Sequence, residues 1–128
     1  MSLKFKRALI GNILIISVAF IFSFFLRIHY LQNSEVYAPI RADAKEYVTI
    51  ASNLVTFGVY SSKIPQGTEP PVPNTNRNPG YPFFLVLHMG NLKSVEDFIS
   101  RVTRSQAVLS SISVVIIYLI SINIIPKP

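Results

Sequence analysis

An all-α membrane protein, with two transmembrane helices joined by a long outer loop that carries two interfacial helices, is the fold class this sequence predicts. Half of the 128 residues are hydrophobic and only 14% are charged, against about 25% in an ordinary soluble domain. The apolar excess is concentrated in two stretches without a single charge, residues 8–26 and 105–126. At about 1.5 Å rise per residue these reach about 28 and 33 Å as helix, close to a hydrocarbon core of about 30 Å. All six acidic residues, Glu35, Asp43, Glu46, Glu69, Glu96 and Asp97, fall between the two stretches.

The first stretch follows Lys4, Lys6 and Arg7, so a cleaved signal peptide is one reading. An uncleaved anchor fits better. The run is longer than the 7 to 15 residues typical of a signal h-region, and it ends in Phe24-Phe25-Leu26-Arg27, where a peptidase requires small side chains. Within it Asn12, Ser17, Gly11 and Ala19 are suited to packing against neighbouring helices. Basic residues set the orientation. Three precede this span and Arg27 follows it, which places residues 1–7 in the cytoplasm; Lys93, Arg101 and Arg104 before the second span pull the other way, and the first span usually dominates. The expected arrangement is a basic cytoplasmic N-terminus (1–7), a span (8–26), an outer loop (27–104), a second span (105–126) and a cytoplasmic end (127–128). An integral protein of the plasma (inner) membrane with both termini cytoplasmic is the corresponding localisation.

In the loop, residues 43–57 place Ala44, Tyr47, Val48, Ala51, Leu54 and Val55 on one helical face, while Lys45, Glu46, Thr49, Ser52, Asn53 and Thr56 take the other. Asp43 with Glu46 has the spacing of a capping box, and Gly58 suits a left-handed C-terminal cap. An amphipathic helix so bounded is expected along the bilayer surface. Residues 64–82 contain six prolines and predict an extended, polar connector. Tyr-Pro-Phe-Phe-Leu-Val-Leu-His-Met (81–89) follows, too short to span. It predicts a second interfacial or re-entrant helix near 81–90, with Pro82 in its first turn. Ser94 with Asp97 offers a further cap, and Phe98, Ile99 and Val102 lead a helix toward the second span.

Several function classes are excluded or unsupported. With no cysteine, disulfides, thiolate metal sites and cysteine nucleophiles are excluded. The net charge of +6 does not indicate a nucleic-acid partner, because the basic residues flank a span or are scattered singly among acids instead of forming one basic face. His29 and His88 have no partner at metal-ligand spacing and read as interfacial side chains.

The order of features resembles a known family. Leu26-Arg27-Ile28-His29-Tyr30, Asp43-Ala44-Lys45-Glu46-Tyr47, Ile50-Ala51-Ser52-Asn53-Leu54, Phe57-Gly58-Val59-Tyr60-Ser61 and Arg77-Asn78-Pro79-Gly80-Tyr81-Pro82-Phe83-Phe84-Leu85, followed by Arg104-Ser105-Gln106-Ala107 and Ile116-Ile117-Tyr118-Leu119, look like the N-terminal part of the GT-C membrane glycosyltransferases. These are the polyprenyl-phosphate-sugar-dependent group that includes the protein mannosyltransferase-like and aminoarabinose transferase-like enzymes. The likeness covers essentially the whole chain and lies in order and spacing more than in any one motif.

What the resemblance implies is a hexosyl- or pentosyltransferase moving a sugar from a polyprenyl-phosphate carrier to an acceptor on the outer face. Asp43 matches the family's catalytic acidic residue at the head of the first interfacial helix; a carboxylate there draws the proton from an acceptor hydroxyl as it attacks. The bare residues equally allow Asp43 a helix-capping role worth about 1 kcal/mol. Arg77 matches a basic residue ahead of a proline-rich turn, able to grip the carrier phosphate through two hydrogen bonds, or else is a headgroup-facing loop arginine. Tyr47 and Tyr81 either line the sugar site or anchor at the interface, where tyrosine is enriched. The partners implied are the lipid bilayer, the polyprenyl-phosphate-linked sugar and the remaining spans of the enzyme. The resemblance admits a divalent metal in the complete enzyme without naming its ligands. GT-C enzymes have many more spans, so the expectation is the front portion of a larger enzyme, inactive by itself. The alternative is a small non-catalytic two-span protein acting as an interaction or assembly module.

Overall fold

Unbroken apolar sequence with few glycines and no interior proline favours long helices, and two are found. The computed structural model describes residues 3–124, with side chains from Ile10 onward. Its elements are α1 (Leu3–Asn33), α2 (Asp43–Phe57), α3 (Gly80–Val86) and α4 (Val95–Ile124), and no strand occurs among the described residues. Positions 1–2 and 125–128 of the expected N-terminus, second span and cytoplasmic end lie outside the described residues. The chain is all-α, with two helices long and apolar enough to cross a membrane, Ile10–Asn33 and Val95–Ile124.

Both long helices overrun the uncharged stretches that predict them. α1 continues through Arg27 to Asn33, and α4 begins at Val95, well before position 105. A charge limits how deep a residue sits in lipid but does not by itself end a helix. Ser94 supplies the cap that starts α4, accepting from the Asp97 N–H at 3.2 Å, while the Asp97 carboxylate accepts from the Lys93 N–H at 3.3 Å. This is the expected cap.

The chain divides into two units, residues 1–34 with 103–128, and 35–102. In the first, α1 and the later turns of α4 run antiparallel. The Tyr118 hydroxyl donates to Asn12 Oδ1 at 3.2 Å, and Arg27 Nε donates to Ser110 Oγ at 2.8 Å. Small residues are buried here, Ser23, Ala107 and Ser111, while Ile13, Val18, Phe22, Phe25, Ile117 and Ile120 are exposed. That distribution is inverted relative to a water-soluble core and matches helices solvated by lipid, where small side chains face the partner.

In the second unit α2 packs on α3 and on the first turns of α4, around Ala51, Leu85, Phe98 and Val102. The apolar face of α2 therefore meets protein side chains on α3 and α4. The face is also turned from its expected setting. Ile50 and Asn53 are buried and Val55 is exposed, because Asn53 faces inward to bind the following loop. α2 has its predicted limits, and Gly58 caps it at φ 67°, its N–H donating to the Leu54 carbonyl at 3.1 Å. Its start differs: Ala42 occupies the N-cap position with φ 48° and ψ −127°, and no side chain caps it. The Asp43–Glu46 capping box does not form, since both carboxylates are drawn to another partner.

α3 is only seven residues long, shorter than the 81–90 expected. After Val86 the chain tightens, with His88 N–H bonded to Leu85 O at 2.9 Å and Met89 N–H to Val86 O at 3.1 Å, the three-residue spacing that often ends a helix. Pro82 sits in the first turn as expected and is fully buried. Leu85 is the centrepiece of the α2–α3 contact, 2% exposed. Leu85→Ala should cost about 2–5 kcal/mol. Hydrogen exchange of the detergent-solubilised chain should then show the α2 amides opening roughly 30-fold faster or more, with α1 unchanged.

Candidate functional site

The proline-rich segment between α2 and α3 is not a free connector. Asn53, 1% exposed on α2, donates through Nδ2 to the Ser61 and Lys63 carbonyls at 2.7 and 2.9 Å. Asn74 N–H bonds to Tyr60 O at 3.0 Å, and Ser61 Oγ donates to Val72 O at 2.8 Å. The Ser62 N–H and the Asn74 amide carbonyl close a further bond at 3.2 Å. The Tyr60 hydroxyl donates to the Arg77 carbonyl at 2.6 Å. Prolines set the course of this segment, and these bonds hold it against α2 in place of the ladder that proline prevents. Burial raises the pKa of the Tyr60 phenol above its ordinary value.

With its backbone so held, Arg77 reaches the first turn of α2. Nη2 meets Asp43 Oδ1 at 2.6 Å and Nε meets Glu46 Oε2 at 2.7 Å. The two carboxylates stand three positions apart on one helix face, spanned by one planar guanidinium. The Glu46 carboxyl is held below its ordinary value, chiefly by the hydrogen bond from Arg77, and that bond raises the guanidinium in turn. Asp43 is the most open of the three, its side chain 72% exposed against 29% for Arg77. The guanidinium carbon lies 5.7 Å from the centre of the Tyr47 ring, within cation–π range. Tyr81 meets Tyr47 edge-on at 5.2 Å, and Phe84 stacks on Tyr81 at 5.9 Å.

All four residues singled out from the sequence, Asp43, Tyr47, Arg77 and Tyr81, therefore meet in one cluster. Asp43 makes no cap; its carboxylate turns to Arg77. Neither histidine belongs to the Asp43–Arg77 ion pairs: His29 Nδ1 is 3.3 Å from the Asn33 amide within α1, and His88 Nδ1 lies 2.8 Å from the Phe84 carbonyl. Sequence reasoning gave Glu46 only a capping role and set Asn53 on the solvent side. Glu46 was legible as the second carboxylate one turn from Asp43. Asn53 had a weaker signal, its place three positions after Ile50 and just ahead of a glycine cap.

Chemically the cluster offers an accessible carboxyl group beside a guanidinium, a pairing suited to proton transfer and to anion binding. A divalent metal is a poorer fit. The Arg77 cation occupies one oxygen of each carboxylate, Asp43 Oδ1 and Glu46 Oε2, and among the described residues no group of three or more His, Asp or Glu side chains gathers. No family model, no curated protein and no solved structure matches this chain.

The depressed Glu46 pKa has a definite sign. A carboxyl lowered in the folded state contributes stability that is present above its ordinary value of 4.5 and lost as pH falls through the lower folded value. Acidification below 4.5 should thus weaken the Arg77–Glu46 contact while the neutral hydrogen bonds of residues 60–77 persist. NMR of the Arg77 Nε–H should report this as loss of its shifted resonance, and Glu46→Gln should remove the transition.

Proposed function

We propose that the chain is the N-terminal part of a GT-C-type membrane glycosyltransferase, transferring a hexosyl or pentosyl group from a polyprenyl-phosphate carrier to an acceptor outside the plasma membrane. Both termini of the segment lie in the cytoplasm in this reading, and the remaining spans of the enzyme complete the site. The observation that supports it is the convergence of Asp43, Tyr47, Arg77 and Tyr81, separated by up to 38 positions, on one point of the second unit.

The roles follow from the cluster's chemistry. The acceptor oxygen bonds to the anomeric carbon as that carbon's bond to the phosphate oxygen breaks. The Asp43 carboxylate takes the acceptor proton, and the leaving polyprenyl phosphate carries the electron pair away as negative charge. Arg77 stabilises that charge through a two-point grip. The N–H groups of Arg77 that are not bonded to Asp43 and Glu46 are the donors for that grip. Tyr47 and Tyr81 supply flat apolar faces of the kind a sugar ring stacks on.

A second reading has its own support. Arg77 is satisfied by its two carboxylates with no ligand present, as a purely structural clamp in a non-catalytic two-span module would be. Transfer assays separate the two. In native membranes containing the protein and its accompanying spans, supplied with a panel of radiolabelled polyprenyl-phosphate sugars, Asp43→Asn should lower transfer by about 10²-fold or more with membrane abundance unchanged. Wild-type turnover in that variant overturns the catalytic assignment. Arg77→Ala should raise the KM for the lipid donor more than it lowers kcat, and an unchanged KM overturns the phosphate role.

A further inference from the structure

Arg27 is a different kind of arginine from Arg77. It lies about 26 Å along α1 from Ile10 at about 1.5 Å per residue, inside the segment apolar enough to cross a membrane. It has no carboxylate partner among the described residues. Its hydrogen bonds run to two neutral groups, Nε to Ser110 Oγ at 2.8 Å and Nη1 to the Ser23 carbonyl at 2.9 Å. The second of these matters most. Ser23 is one turn earlier in α1, so the guanidinium folds back toward the apolar stretch instead of extending toward Asn33 and water, as a snorkelling arginine would. An arginine turned back toward the apolar stretch near the end of a spanning segment, with neutral partners only, calls for an anion.

The guanidinium lines an open groove of about 460 Å³ between α1 and α4, together with Leu26, Tyr30, Leu31, Gln106 and Ala107. A second groove of about 360 Å³ lies on the same helix pair, one to two turns earlier in α1, lined by Phe20, Ile21, Ile112 and Val115. The combination is a cation at one level and apolar troughs running from it along the helices. Nη2 and the second Nη1 hydrogen remain after the two bonds above, and they form the edge of the fork that fits two phosphate oxygens.

We infer that this groove binds an anionic bilayer phospholipid, its phosphate on Arg27 and an acyl chain along the apolar wall between α1 and α4. Charge complementarity selects the occupant: the unneutralised guanidinium requires an anion, and its setting among Leu26, Leu31 and Ala107 requires that the anion carry hydrocarbon. The site is independent of the glycosyltransferase reading, which rests on Arg77.

Native mass spectrometry of the full chain in neutral detergent tests it, with phosphatidylglycerol, phosphatidylcholine and inorganic phosphate as probes. The wild type should retain one phosphatidylglycerol in preference to phosphatidylcholine, and Arg27→Gln should weaken that retention about tenfold. Leu31→Trp, which fills the groove at a partly exposed position without touching the charge, should weaken it as well and serves if Arg27→Gln does not insert. Arg77→Gln should leave it unchanged. Equal retention of phosphatidylglycerol by wild type and both groove variants overturns the proposal, as does equal retention of phosphatidylcholine. Displacement by inorganic phosphate at similar concentration overturns the lipid as occupant, and loss of binding in Arg77→Gln places the site elsewhere.

Discussion

The Arg77 guanidinium joins two parts of the chain that local sequence alone would leave apart. Its two bonds to the first turn of α2 bring Asp43 and Glu46 under one cation. Tyr81, four positions later in the chain, is thereby delivered to Tyr47. α3 then begins where Leu85 can close over Ala51. A surface ion pair contributes little when two flexible side chains must both be ordered to make it. Here the loop is already ordered by Asn53, Tyr60 and Ser61, so less entropy opposes the contact, and both carboxylates come from one rigid helical turn.

The two units solve opposite burial problems. α1 and the later turns of α4 keep serine and alanine between them and turn isoleucine and phenylalanine outward, an arrangement water would not tolerate over so large a surface. In the second unit large side chains converge, but few are available, and buried polar groups carry much of the ordering. No buried side-chain donor or acceptor there lacks a partner among the described residues. Asn53 and Ser61 act in place of a larger core, since an unmade buried hydrogen bond costs more than a made one contributes.

What could be read from the sequence followed physical range. α2 has its predicted bounds and its predicted glycine cap because periodicity and cap chemistry act within a few residues. The Ser94 cap of α4 was legible for the same reason. The true starts and ends of the spanning helices were not, because an absence of charge marks hydrocarbon and not helicity. Asn53 was misplaced because its partners lie in a loop whose path prolines fix only in three dimensions. The capping box at Asp43 failed because a long-range arginine competed with the local bond, which spacing alone cannot foresee. The same arginine joined Asp43, Tyr47 and Tyr81, which sequence order had grouped only by resemblance.

Tyr60 holds Arg77 by its carbonyl and leaves the side chain to other partners. Main chain and guanidinium are thus secured separately, as a wrist is fixed while the hand turns. A change of partner at the guanidinium therefore does not require the loop to unfold. The cost of exchange is confined to a few side-chain rotations, a reorganisation far smaller than ordering a mobile segment. The phenol thus fixes the main chain at Arg77 while the guanidinium is held by the carboxylates alone.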